Sequence, residues 1–257
     1  MKTTTMTALL LSGTLVLSSP GAALAQDDTA DVTDAGGRDR AAVVDHHRPE
    51  RPSDFDEAKR VLIAGIERRL SHLRHLSGVV SSADHVTDAH AADLQGQIDR
   101  AGAALTDLLA QAEAAETTEQ LRAIAAQVKG HGVYLVLTAK VHVVIGADTV
   151  EAAVAHFGRV AGELQAAIER ARADGHDVAA AQGHLDAMTA HVDRAAAAVA
   201  GVADRCLAAA SDEARSILEA GRQAVRVGHG HLREAREEAG KAIRALHAAI
   251  GGGGENA

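Results

Sequence analysis

At 257 residues, with a formal net charge of −9, no tryptophan and only Phe55, Tyr134 and Phe157 as aromatic side chains, the chain lacks the rings on which sugar- and base-stacking sites are built. No basic face is apparent in the sequence, which speaks against nucleic acid as a partner. Its one cysteine, Cys206, excludes an intramolecular disulfide, so helix packing must hold the fold.

Lys2, the apolar run from Ala8 to Leu17 and the small-x-small triplet Ala23-Leu24-Ala25 predict a secretory signal over residues 1–25, with the mature chain starting at Gln26. The apolar run is shorter than the roughly 20 residues needed to cross a bilayer. The expected location is therefore extracytoplasmic, secreted or associated with the cell wall. Loss of residues 1–25 removes Lys2 and no acid, which takes the formal charge from −9 to −10. In residues 26–52, Asp27, Asp28, Asp31 and Asp34 precede Arg38, Arg40, His46, His47, Arg48 and Arg51, the pattern of a disordered, charge-segregated linker.

Pro20, Pro49 and Pro52 are the only prolines, and the Ala-, Leu-, Glu- and Arg-rich remainder predicts helix from residue 53 to 250. Helix 1 is expected from Ser53, with Asp56 completing a capping box and a seam of Ile66, Leu70, Leu73, Leu76 and Val80. Helix 2 takes Thr87 as N-cap and buries Leu94, Ile98, Ala101, Leu105, Leu108, Ala112 and Ala115. Helix 3 opens at Thr117 with Gln120 as box partner, and its stripe runs through Leu121, Ile124, Val128, His131, Leu135, Thr138, His142 and Ile145. Within it, Val133, Val136, Thr138, Val141, Val143, Val144 and Ile145 are β-branched and locally favour strand. Helix is preferred there because the seam spacing continues. Lys140 and His142 in the middle of this stretch argue against a membrane span.

Helix 4 is predicted to open at Asp148, with Glu151 as box partner, and to bury Val150, Val154, Phe157, Ala161, Leu164, Ile168 and Ala171. Helix 5 follows Gly175 and Asp177 and carries Val178, Ala181, Leu185, Met188, Val192, Ala195, Val199, Val202 and Cys206 in register. Helix 6 begins near Ser211 and runs through Leu218, Val225, Leu232, Ala239, Leu246 and Ile250, and residues 251–257 form a flexible Gly-rich tail. Short breaks between such helices predict an all-α fold, an elongated antiparallel bundle or helical-hairpin array of about six helices with coiled-coil-like seams.

The sequence contains no nucleophile paired with a base and no phosphate loop, so no catalytic or cofactor-binding residue is assigned and the chain reads as non-enzymatic. No metal site is assigned either. The histidines that come nearest to one are His72 and His75, one turn apart, and His229 and His231, with Glu234 one turn on. The loop Asp174-Gly175-His176-Asp177 is a further candidate. His184 and His191 lie two turns apart, about 10 Å, too far to share an ion unless another element comes between them. His131 and His142 fall on the expected seam of helix 3, where protonation would force charge into a core. Cys206, also on a seam, reads as a small buried hydrophobe.

Two stretches resemble an uncharacterised family of secreted, Ala-rich helical proteins of actinobacteria. The first runs from Val133-Tyr134-Leu135-Val136 through Lys140-Val141-His142 to Ala147-Asp148, with Gly132 and Ala139 where relatives carry Arg and Pro. The second runs from Arg222 through Val225-Arg226, His229, Leu232-Arg233 and Ala235-Arg236, with His231 where an Asp is common. The likeness covers roughly residues 60–250 and implies a helical, exported, surface-associated protein without a known activity. Together these features predict a structural or interaction protein with a protein or cell-envelope partner, able to form homo-oligomers. The alternative is a small-ligand or metal-binding protein that uses its histidines.

Overall fold

The computed structural model describes residues 55–130, 133–210 and 213–251; the expected signal and linker, Ser53, His131, Ser211 and the expected tail beyond Gly251 lie outside them. Among the described residues are seven helices: α1 (Phe55–Ser81), α2 (Asp88–Ala114), α3 (Thr118–Gly130), α4 (Val133–Ala173), α5 (Ala179–Val199), α6 (Val202–Ala208) and α7 (Ala214–Gly251). The fold is an all-α bundle, and none of these helices is long and apolar enough to cross a membrane.

The starts of α2 and α3 follow the side-chain chemistry of the sequence, whereas α5 and α6 start after Val178 and Gly201 without a side-chain cap. The Thr87 hydroxyl accepts from the backbone N–H of His90 at 3.2 Å. At Thr117 the box is complete: Gln120 N–H donates to the Thr117 hydroxyl at 3.3 Å, and Gln120 Oε1 accepts from Thr117 N–H at 3.0 Å. Gly175 ends α4 in a left-handed turn with φ +89°, and His176 N–H donates back to Ala171 O. The candidate loop 174–177 is therefore a helix stop, in which Asp177 Oδ1 accepts from Ala179 N–H.

The expected break at 146–149 is absent. α3 ends at Gly130, and α4 then runs 41 residues from Val133 straight through Asp148. Gly146 does not stop the helix but serves packing: a Cβ there would lie 2.9 Å from Val225 Cγ1. The β-branched stretch is helical, and Leu137, Ala139, Val141, Val143, Val144, Ala147 and Val150 are all buried. A helix apolar around most of its circumference belongs in the interior, and here α1, α2, α6 and α7 surround it. Helix 5 also differs from expectation, because Gly201, at φ +61°, divides it into α5 and α6. The register of its buried residues nonetheless holds from Val178 to Cys206. Ile250 is exposed rather than buried.

Two cores result. One gathers α1, α2, α3, α6 and the starts of α4 and α7; the other joins the second halves of α4 and α7 to α5. α4 and α7 run parallel, since Val143 meets Gly221, Gly146 meets Val225 and Val150 meets Gly228. α5 is antiparallel to α7, with His184 beside Glu238 and His191 beside Glu234.

Candidate functional site

Antiparallel packing of α5 on α7 brings together histidines that the sequence leaves apart. His231 and Glu234, three residues apart on α7, share one face. α5 sets His191 against the same face. The Nδ1 atoms of His191 and His231 lie 2.9 and 3.1 Å from one oxygen, Oε2 of Glu234, and the two rings are 5.7 Å apart between centroids. His231 is in hydrogen-bond geometry with that oxygen. His191 Nδ1 is not, although it is shielded from solvent. The His231 hydrogen bond, followed by the charges of His191, His231 and Arg233, holds the Glu234 carboxyl below its usual range. One turn further, His184 Nδ1 lies 2.7 Å from Glu238 Oε2, and Lys241 donates to Glu238 Oε1 at 2.6 Å.

A second cluster joins α2, α4 and α6. Asp148, with a side chain that is 0 % exposed, accepts from Thr87 N–H at 3.0 Å and faces His90 Nδ1 at 2.9 Å. His90 Nε2 lies 3.3 Å from the exposed Asp204, and Glu151 stands one turn along α4. Burial alone would lower the His90 pKa, but the hydrogen bond and charge of Asp148, joined by Asp204, outweigh it and leave the pKa raised. A raised folded value means that the His90 contribution is present in full below the ordinary value of 6.5 and is lost as pH rises through the folded value. The stability difference between the native chain and His90→Gln, read from urea midpoints, should therefore be largest near pH 6 or below, about where a free imidazole titrates. It should shrink toward alkaline pH, and a difference that grows with pH would contradict the assignment.

Between α2, α4 and α6 the buried Lys140 donates to Gln97 Oε1 at 3.2 Å and to Leu207 O at 3.0 Å, where its charge meets the carbonyl end of α6. Burial lowers its pKa.

Of the histidines singled out from sequence, His72 and His75 do lie together, 6.2 Å between ring centroids, and His72 Nε2 contacts Thr138 Oγ1 at 3.0 Å. Burial, then the neighbouring His75 and His142, lowers the His72 pKa. No third ligand joins them: among the described residues one group of three ligand atoms lies within 4.8 Å of one another, and it is His191, His231 and Glu234. His229 is exposed and outside that group. His142 is exposed as well, so it is no buried switch; its Nδ1 contacts Thr138 O at 2.8 Å. Cys206 is buried, and burial pushes its thiol pKa up, which keeps it protonated and unreactive.

Fold and site define an all-α bundle with an imidazole–carboxylate seam between two of its helices. No family profile, curated protein or solved structure matches the chain.

Proposed function

We propose that the chain is a secreted, non-enzymatic interaction protein of the cell envelope, and that α7 is its docking face. The supporting observation is a row of arginines. Arg215, Arg222, Arg226, Arg233 and Arg244 are all exposed and follow one another at intervals of seven, four, seven and eleven residues. Those intervals keep near whole helical turns, so the five side chains form one outward line about 43 Å long at 1.5 Å per residue. The line continues into an open groove between Arg233, Arg236, Glu237, Lys241 and Arg244, floored by Gly240. Along the chain these residues are diluted by alanine and glutamate and form no basic run; the helix collects them on one face.

The partner that fits is a protein with an acidic face. Guanidinium groups bind carboxylates in a directional, bidentate way. Glu219 and Glu237 flank the row, and mixed signs favour one register over others. Along the row those glutamates would repel a uniform polyanion, and the mature chain carries a net charge of −10. Signal sequence and resemblance support an extracytoplasmic setting.

Arg222→Glu, Arg226→Glu and Arg233→Glu introduced together, on an exposed face, should leave the fold intact. An envelope protein retained by the native chain at low salt and released at high salt should be lost from this variant. Equal retention by both would reject the docking face; retention of wall polymer or nucleic acid in place of protein would reject the assigned partner.

A further inference from the structure

Independently of the arginine row, we propose that His191, His231 and Glu234 form a binding site for a divalent transition cation of the zinc class, which would tie α5 to α7. Three observations converge on it. The donor set, two imidazoles and a carboxylate, is the chemistry that such cations take, and it leaves further coordination positions to water. The spacing is right: Zn–N and Zn–O bonds of about 2.0–2.1 Å place neighbouring tetrahedral ligands about 3.3 Å apart. The two Nδ1 atoms stand 2.9 and 3.1 Å from Glu234 Oε2, so a slight opening of side-chain torsions admits the ion. Finally, His191 Nδ1 is shielded from solvent and close to the carboxylate, yet it makes no hydrogen bond.

That last feature separates this trio from an ordinary ion pair. Two imidazoles that merely served Glu234 would each donate along a lone pair, as His231 does. His191 instead stands at contact distance with its nitrogen off line. A cation among the three groups would turn all three lone pairs to use. The neighbouring trio His184, Glu238 and Lys241 does not compete, because Lys241 already places a positive charge on Glu238 at 2.6 Å.

The site also has a framework to hold it. Met188, Val192 and Ala195 on α5 and Leu232 and Ala235 on α7 are buried beside it, so the helices that carry the ligands are fixed by core packing. A cation joining them would add a cross-link between two helices through ligands 40 residues apart in sequence, His191 and His231, and ligand binding to the folded state alone raises stability.

The test uses the mature chain, prepared without a histidine tag, stripped with chelator and titrated with ZnCl2 by calorimetry. Saturation at one high-affinity ion per chain is expected, together with a higher melting temperature in excess Zn²⁺. His191→Ala should weaken this binding by roughly tenfold or more, since loss even of groups that only support a ligand costs that much. Glu234→Gln, a nearly isosteric change at an exposed position, should weaken it comparably and keeps the test valid if His191→Ala does not fold. His229→Ala should bind as the native chain does. Absence of saturable uptake, or uptake that Glu234→Gln leaves unchanged, would overturn the site.

Discussion

Asp148→Ala is expected to destabilise the chain by about 3 kcal/mol, the order seen when one partner of a buried polar network is removed. The carboxylate is 0 % exposed and serves two groups of α2, the N–H of Thr87 and the ring of His90. Thr87 is itself the residue that caps α2. Truncation leaves its amide without an acceptor, opens a void between α2 and α4, and removes the charge that favours protonated His90. Asp148→Asn keeps an oxygen for Thr87 and should recover part of the loss, whereas Asp204→Ala, at an 80 % exposed side chain, should cost no more than about 0.5 kcal/mol. Urea midpoints at constant slope measure all three. Equal, small losses for Asp148→Ala and Asp204→Ala would show that Asp148 is not part of the framework.

Gly221→Leu should be of similar or greater severity. A Cβ at this position would lie 2.8 Å from Val143 Cγ1 and 2.9 Å from Cys206 Sγ, both carried by buried residues on separate helices. Overpacking of a filled core costs about 1–3 kcal/mol for small insertions, and a full leucine exceeds what α4, α6 and α7 can absorb without moving apart. Gly221→Ala is milder, because the clash is offset by the ~1 kcal/mol gained when Gly gives way to Ala in a helix. Nothing lies within 4 Å of a Cβ at Gly230, so Gly230→Ala on the same helix should stabilise by up to ~1 kcal/mol. Opposite signs for Gly221→Leu and Gly230→Ala in thermal melts are the expected result; equal effects would mean that α7 does not approach α4 as described.

Local features were legible in the sequence where one helix decides them. Thr87, Thr117 and Gln120 mark helix starts through bonds that span only three residues. The stripe from Val178 to Cys206 could be read because each position depends on periodicity alone. Reading failed where a neighbouring helix sets the meaning of a residue. Gly146 and Asp148 look like a stop followed by a cap, yet the first makes room for Val225 and the second is the buried acceptor for α2. His90 gave no signal, since its partners Asp148 and Asp204 stand 58 and 114 residues away. The α5–α7 seam is half visible in the sequence: His231 and Glu234 stand one turn apart on one helix, whereas His191 reaches Glu234 only through the packing of α5 on α7, and His184 goes to Glu238 instead.

α4 and α7 each serve two cores, contributing one half of their length to either. Neither half of the molecule owns a complete set of walls. A split placed between the cores would pass through both of these rods, and each fragment would carry a stump with its greasy flank bare to water. Loops here can be lengthened, trimmed or exchanged, but the two halves cannot be shuffled as independent modules, and the bundle is expected to melt in a single cooperative step.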